Sequence, residues 1–202
     1  EYVEIIRARA HRPHHPVAPD PERASRGTAG FARLETPGGP YRGLEAFQLE
    51  HAAWFFGRET LTERLIDHLR SPGGARRAPR FLAIIGPSGS GKSSLARAGL
   101  LAALQHEALD RSAQWPLVVC RPGPDPLESL AVALTAHPTL RPHLTALGEV
   151  IARLYEEPRT LHVAIRLALH HVPETHRVVV LVDQFEEVFT LCHDDRQRQA
   201  FV

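Results

Sequence analysis

The segment that most constrains this chain is the eight-residue run at positions 86–93, Gly-Pro-Ser-Gly-Ser-Gly-Lys-Ser. It fits the pattern G-x-x-x-x-G-K-[ST], with Gly86, Gly91, Lys92 and Ser93 at the fixed positions. Glycines permit backbone angles that other residues avoid, so successive main-chain N–H groups can point at one anion. A lysine adds a point charge, and the start of a helix adds a favourable dipole. The run therefore predicts a loop that cradles phosphates.

The sequence on either side of the loop supports this interpretation. Residues 81–85 form a short, continuous apolar run, which is typical of a buried parallel strand. Residues 92–109 are rich in Ala and Leu and lack Pro, which predicts a helix. A chance glycine-rich turn with the fixed residues would occur in roughly one chain in a hundred of this length, and the strand–loop–helix context lowers that frequency further.

Further strands and helices alternate along the chain. Apolar runs at 116–120 and 178–182 predict two more strands, and helical spacing predicts helices at 58–70, 126–136, 144–157 and 160–171. This alternation indicates helices on both faces of a parallel sheet. The predicted fold class is α/β, with a three-layer α/β/α P-loop NTPase core that ends after the strand at 178–182.

The first part of the chain differs in composition from the rest. Residues 11–40 are rich in Pro, Arg and Gly and offer too little apolar surface to offset the entropy of ordering them. Residues 1–10 have the pattern of a short helix or strand. We therefore predict a flexible N-terminal extension at 1–39 and an organised domain at 40–202.

An acidic group follows the last predicted strand. Asp183 comes directly after five apolar residues, which places it at the carboxyl edge of the sheet, where ligands of open α/β folds gather. A phosphate-binding loop needs such a carboxylate to hold Mg²⁺, together with the Ser93 hydroxyl. Glu186 and Glu187 come next, and one of them is a candidate for orienting the water that attacks the γ-phosphate, although spacing alone does not decide which.

The bulk composition limits the other classes of function. The formal net charge is +1, from 24 Lys and Arg against 23 Asp and Glu, so no global field favours nucleic acid or an anionic membrane. Two cysteines are too few for a disulfide scaffold and fit a reducing compartment. No apolar run reaches the ~18 residues of a membrane-spanning helix. The composition therefore predicts a cytoplasmic protein without membrane or nucleic-acid partners.

Three blocks of sequence resemble a known family. The first joins Pro-Tyr-Arg-Gly-Leu-Glu-Ala-Phe at 40–47 with Phe-Phe-Gly-Arg-Glu at 55–59, the second is 85–95, and the third is Leu-Val-Asp-Gln-Phe-Glu-Glu-Val-Phe at 181–189. Together they resemble the bacterial novel STAND NTPases, specifically the first such domain family, over residues 40–202. The loop alone is shared by many NTPases, whereas the combination with the other two blocks is distinctive.

The resemblance implies a set of nucleotide contacts, with ATP and Mg²⁺ as cofactors. It places Phe56, Gly57 and Arg58 against the adenine base, with core packing as the alternative interpretation of Phe55 and Phe56. It also implies that Lys92 acts in catalysis with Glu186 or Glu187, and comparison with NACHT-type sequences slightly favours Glu187. The remaining candidate contacts are those of the loop and its first helical residues: Gly86, Pro87, Ser88, Gly89, Ser90, Gly91, Lys92, Ser93 and Ser94. The candidate metal ligands are Ser93 and Asp183.

The resemblance further implies an ATP-driven signalling switch with effector and sensor domains in a longer protein. Such NTPases continue with a sensor strand and a lid, whereas this sequence ends at Val202, so a truncated piece is expected and hydrolysis is expected only when the missing elements are supplied. The alternatives are a small-molecule kinase or other P-loop ATPase, and a nucleotide-stabilised scaffold without turnover. Neither an ABC-type signature nor the Asn-Lys-x-Asp string of GTPases occurs, and a nucleotide-dependent oligomer stays open.

Overall fold

The structure of the chain is a computed structural model, and it describes residues 3–7, 43, 45–70, 81–144, 151–152, 155, 165–166, 169–170 and 177–202. These residues fall into two compact units, Glu1–Leu100 and Leu101–Val202. Among the helices of the described residues, none has the length and apolar character that crossing a bilayer requires. Most of the helices predicted at 144–157 and 160–171 lie outside the described residues.

The first unit contains a parallel strand pair and a helix on each side of the second strand in sequence. Its elements are strand β1 (Val3–Arg7), a 3-10 helix (Leu49–Trp54), helix α1 (Glu59–Leu69), strand β2 (Phe81–Ile85) and helix α2 (Lys92–Ser94), which continues as a π-helix (Leu95–Leu101). Strand β1 pairs with β2 in parallel, with Val3 opposite Phe81 and Arg7 opposite Ile85. Strand β1 lies in the segment predicted as an extension, and the domain boundary near residue 40 stays a prediction.

Strand β2 occurs where the apolar run predicts it, but its expected full burial is wrong. Phe81 at its start is 54% exposed and Ile85 at its end is 47% exposed. In the described part of the chain β2 belongs to a two-stranded sheet, so β1 protects it along one edge only. The apolar run therefore predicted the strand correctly but not the number of its neighbours.

Helix α1 packs closely against the π-helix at a glycine. A Cβ atom added to Gly99 would lie 2.7 Å from Thr62 Oγ1 and 3.3 Å from Phe55 Cε1. Because glycine has no side chain at this point, the two helices approach more closely than they otherwise could. The contact fixes the segment before α1 and the helix that follows the loop 86–91 in one arrangement.

The second unit contains another parallel strand pair with helices around it. Its elements are helix α3 (Ala102–Gln105), a 3-10 helix (Ser112–Gln114), strand β3 (Leu117–Cys120), helix α4 (Pro126–Ala136), a 3-10 helix (Arg141–His143), strand β4 (Val179–Val182), helix α5 (Glu187–Thr190) and helix α6 (Asp195–Phe201). Strand β3 pairs with β4 in parallel, with Leu117 opposite Val179 and Cys120 opposite Val182. Parallel strands combined with helices confirm the α/β class.

The helix that begins after the loop ends earlier than predicted. At the end of α3, Ala108 N donates to Ala103 O at 3.0 Å and Glu107 N donates to Leu104 O at 3.2 Å. Glu107 has a left-handed φ of 59°. These two bonds form a Schellman motif, which satisfies the last carbonyls and ends the helix. The sequence hides this end, because the left-handed position holds Glu rather than the usual Gly.

The apolar core of the second unit lies between α4 and the strand pair. Helix α4 contributes Leu130 and Leu134, strand β3 contributes Val118 and Cys120, and Leu140 completes the cluster. Burial raises the pKa of the Cys120 thiol to about 11, because the charged thiolate is disfavoured in this apolar setting. The core holds β3 and β4 in place, and both strands end at the same edge because they run in parallel.

Candidate functional site

The loop after β2 has the backbone geometry that its glycines predict. Gly89 and Gly91 have left-handed φ values of 74° and 83°. A residue with a side chain is strained in this conformation, whereas glycine adopts it readily. Gly91 is also the N-cap of α2, and its carbonyl accepts a bond from Leu95 N at 2.8 Å. The chain therefore turns directly from the loop into the helix.

The side chain of Lys92 folds back over this loop. Its Nζ atom donates to Gly86 O at 2.9 Å and to Pro87 O at 3.0 Å. An ammonium group has three donors, so the loop's own carbonyls use two of them. The charge is thus held at the loop, where the sequence places the predicted phosphates.

Ser90 is the buried member of the loop. It is 3% exposed, and within the described residues its Oγ atom has no hydrogen-bond partner. Its main chain is well tied, because Ser90 N donates to Pro87 O at 3.2 Å and Arg58 Nη2 donates to Ser90 O at 3.4 Å. A buried hydroxyl without a partner is uncommon in folded proteins and indicates a place where a ligand or water can bind.

The segment before α1 separates the two phenylalanines that the sequence could not distinguish. Phe55 is partly buried, and its ring centroid lies 5.9 Å from that of Phe47. Phe56 is 76% exposed. Core packing therefore accounts for Phe55 but not for Phe56, which stands on the surface two residues before Arg58 and its bond to the loop.

Gly57 and Glu59 fix the start of α1 beside that surface phenylalanine. Gly57 N donates to Glu59 Oε1 at 2.9 Å. The pKa of the Glu59 carboxyl is lowered, because backbone N–H groups of Glu59 and Gly57 bond to its charged form. The main-chain amide of Gly57, a predicted adenine contact, is therefore used within the protein.

Ser94, a predicted nucleotide contact, takes part in a hydrogen bond within the protein. Its Oγ atom accepts a hydrogen bond from Phe47 N at 3.0 Å. Close by in sequence, Arg97 Nη1 donates to Gln48 Oε1 at 2.5 Å. Both bonds tie the segment before α1 to the helix that follows the loop, so they hold the Phe56 region and the loop together.

The acidic residues lie in the second unit, in the turn between β4 and α5. Asp183 follows β4 directly, and its main-chain N donates to Cys120 O at 2.8 Å. Gln184 adopts a left-handed φ of 59°, which reverses the chain. Glu186 is exposed, whereas Glu187, at the start of α5, is only 6% exposed. The two neighbouring carboxylates thus face different surroundings.

The side chain of Glu187 is held by the loop that follows β3. Arg121 Nε donates to Glu187 Oε1 at 2.7 Å, and Arg121 Nη2 bonds to the same oxygen. Gly123 N donates to Oε2 at 3.1 Å. The hydrogen bond from Arg121 lowers the pKa of Glu187, burial and the charge of Asp183 oppose this, and the Gly123 amide adds to the lowering. The same pairing raises the pKa of Arg121.

Arg121 and Gly123 were not selected as site residues from the sequence. The signal was nevertheless present, because Arg121 directly follows an apolar strand, as Asp183 does. Side chains at the carboxyl ends of neighbouring parallel strands share one edge of a sheet. Applying that rule to residues 116–120 as well as to 178–182 would have found Arg121.

The predicted site residues thus form two groups, each within its own unit. In the first unit, Arg58 and Lys92 bond to the loop 86–91, and exposed Phe56 lies beside Arg58 in sequence. In the second unit, Asp183, Glu186 and Glu187 share one turn. The meeting of Ser93 and Asp183 on one metal ion stays a prediction.

Comparison with known families places most of the chain in one family. Residues 40–202 match the family Novel STAND NTPase 1, which covers well over half of the 202-residue chain. The chain belongs to this family. No curated protein and no solved structure matches the chain. Family membership identifies a STAND NTPase-type module.

The pairing of Glu187 predicts a pH-dependent contribution to stability. A carboxyl whose pKa is lowered by folding stabilises the protein above its unfolded pKa, about 4.3, and loses this effect as the pH falls through the folded value. Glu187→Gln should therefore destabilise the chain at neutral pH and differ less from the wild type in acid. Urea unfolding at stepwise lower pH measures this difference.

A matched background separates the ion pair from other effects of the substitution. In an Arg121→Ala chain, this pH dependence of the Glu187→Gln effect should disappear or reverse, because the guanidinium is the main cause of the lowered pKa and burial of Glu187 acts in the opposite direction. A stability difference that stays constant from neutral to acid pH in the wild-type background would contradict the assignment.

Proposed function

We propose that this chain is the ATP- and Mg²⁺-binding module of a STAND-type signalling NTPase, built on a three-layer P-loop core and acting as a nucleotide-dependent switch. The observation that carries the proposal is the loop 86–91, with two left-handed glycines and the Lys92 ammonium folded over it. Membership of the Novel STAND NTPase 1 family supports the switch interpretation.

The loop fits a triphosphate in three respects. Cβ atoms added to Gly89 and Gly91 would meet no atom of the described residues within 4 Å, so the space beside these two glycines is open. The buried Ser90 hydroxyl lacks a partner and can donate to a phosphate oxygen. The helical run that begins at Lys92 presents its positive dipole end to an anion.

The proposed metal ligands suit Mg²⁺ by their chemistry. The Ser93 hydroxyl and the Asp183 carboxylate are hard oxygen donors, which magnesium prefers, and the phosphates and water complete its coordination. Bound Mg²⁺ would neutralise part of the charge on the phosphates. Phe56 would lie against the adenine ring, since it is an exposed aromatic held near the loop through Arg58.

The two glutamates receive different roles in this proposal. Glu187 is bound by Arg121 and Gly123, whereas Glu186 is exposed in the same turn. We therefore assign the orientation of the attacking water to Glu186, contrary to the slight preference for Glu187 that the sequence comparison gave. Slow hydrolysis would reset the switch in a complete, cytoplasmic protein that also carries effector and sensor parts.

Family membership favours a switch over a small-molecule kinase or another P-loop ATPase, because the resemblance to STAND proteins implies an ATP-driven signalling switch. A nucleotide-stabilised scaffold differs from a switch in having no turnover. Any ligand that binds the folded state raises its stability, by about 2.7 kcal/mol at a ligand concentration a hundred times the dissociation constant. Thermal shifts therefore do not distinguish the switch from the scaffold. Variants of single residues do.

Replacing Lys92 tests the phosphate site. Lys92→Ala should weaken ATP binding by roughly 10- to 100-fold, because a charge-assisted hydrogen bond contributes about 1.5–3 kcal/mol. Isothermal titration measures the affinity. Lys92 is the only lysine in the chain, so an amine-reactive ATP analogue offers a second readout: it should label this one side chain, and excess ATP should prevent the labelling. Unchanged affinity in the variant would disprove the phosphate site.

Replacing Phe56 tests the adenine contact. Stacking of a base on an aromatic ring contributes about 1–3 kcal/mol, so Phe56→Ala should weaken ATP binding roughly tenfold. Affinity for inorganic triphosphate, which has no base, should not change. Phe81→Ala is the matched control, because Phe81 is also an exposed phenylalanine but starts β2, whereas the loop follows its end. Equal losses for ATP and triphosphate would show that Phe56 supports the fold instead.

Replacing Glu186 tests turnover. Glu186→Gln should abolish phosphate release by the complete protein while leaving ATP affinity near that of the wild type, because the amide keeps the shape but cannot act as a base. The measurements are a phosphate-release assay and a binding titration. A complete protein that shows no hydrolysis in the wild type would support the scaffold interpretation, and a fully active variant would exclude Glu186 as the water-orienting residue.

A further inference from the structure

The turn that carries the acidic residues is fastened at both ends to one short loop. At its start, the main-chain N of Asp183 donates to Cys120 O, the last carbonyl of β3, at 2.8 Å. At its end, the Glu187 carboxylate is bound by Arg121 and by Gly123 N. Residues 120–123 therefore hold the turn 183–187 through one main-chain bond, one ion pair and one bond from the Gly123 amide to the Glu187 carboxylate.

At the end of the turn, both carboxylate oxygens of Glu187 accept hydrogen bonds. Oε1 accepts from the Arg121 guanidinium and Oε2 accepts from the Gly123 amide. The Glu187 side chain is 8% exposed, whereas that of Arg121 is 62% exposed. A buried carboxylate is tolerated only with such partners, so its release toward a water molecule would leave it with unsatisfied charge.

We propose that Arg121, the Gly123 N–H and Glu187 form a clamp that positions the carboxylates of Asp183 and Glu186 for the metal and the attacking water. The inference rests on the proposed function, which assigns those two carboxylates their roles. Glu187 is a positioning residue in this scheme and does not touch the reacting atoms. Arg121 acts with it, although it stands on a different strand.

The physical reason for a clamp lies in the turn itself. Gln184 must hold a left-handed φ of 59°, which is strained for a residue with a side chain. α5, which follows, is only four residues long and adds little rigidity of its own. Without the ion pair, the Gly123–Glu187 and Asp183–Cys120 bonds and the turn's own Glu187 N to Gln184 O bond would remain, but the guanidinium that compensates the buried carboxylate would be lost.

A double-mutant cycle on the ligand-free chain tests the clamp without nucleotide. Arg121→Ala should lower the Tm by about 4 °C, because it leaves a buried carboxylate with one partner. Adding Glu187→Gln should recover part of that loss, because it removes the uncompensated charge. Arg70→Ala is the control: Arg70 pairs with Asp67 on the surface, at 61% and 63% exposure, and its loss should change the Tm little. Additive losses in the cycle would overturn the clamp.

Metal dependence of binding tests the positioning role. Arg121→Ala should weaken ATP binding about tenfold in the presence of Mg²⁺, as expected when a group that orients a metal ligand is removed. Binding of ATP with EDTA should stay unchanged, a pattern that general destabilisation does not produce. Arg121→Lys keeps the charge and should recover part of the Mg²⁺-dependent affinity, and Arg70→Ala, which breaks only an exposed pair with Asp67, should alter neither value.

The outcomes separate the clamp from the function on which it rests. If Lys92→Ala binds ATP as the wild type does, the phosphate site itself is wrong. If Lys92→Ala loses affinity while Arg121→Ala keeps its Mg²⁺-dependent affinity, the proposed function stands and the clamp is wrong. Equal losses with and without Mg²⁺ in Arg121→Ala would also overturn the positioning role, since they indicate damage to the whole fold.

Discussion

Parallel strands have their carboxyl ends at the same edge of the sheet, and the arrangement of the second unit depends on this constraint. β3 and β4 run in the same direction with Cys120 opposite Val182, so the next residues of both strands, Arg121 and Asp183, leave the pair side by side. An antiparallel pairing of the same two strands would put these residues at opposite ends. The ion pair between Arg121 and Glu187 is therefore a consequence of strand direction and register.

The conformation of the loop after β2 depends on local features rather than on strand pairing. Left-handed glycines shape its backbone, and the side chains of Lys92 and Arg58 bond to its carbonyls. The buried Ser90 hydroxyl has no partner among the described residues. Leaving a buried polar group unpaired costs about 1–3 kcal/mol. In the proposed function, a phosphate oxygen would accept the hydrogen bond of the Ser90 hydroxyl, so this bond would contribute to binding. The Lys92 ammonium group is held at the same loop by hydrogen bonds that it donates to two main-chain carbonyls.

The strands and helices were predictable wherever local chemistry decides them. The apolar run at 81–85 and the helical spacing at 58–70 and 126–136 each correspond to observed elements. The end of α3 was not predictable, because Glu107 occupies a left-handed position that glycine usually fills. The exposure of β2 was not predictable either, since it depends on how many strands lie beside it rather than on its own residues.

The sequence by itself determined the chemistry of the loop, because the glycines, the lysine and the serine hydroxyls are all adjacent in residues 86–93. It also determined that acidic groups follow a strand. Only the tertiary structure decided which glutamate pairs with an arginine. Arg121 and Glu187 are 66 positions apart, and the sequence around either residue does not indicate the other as its partner. The same holds for Phe55 and Phe56, which are equivalent in sequence but differ in burial. Contacts between distant residues depend on how the strands pair and how the helices pack, and those are properties of the folded chain.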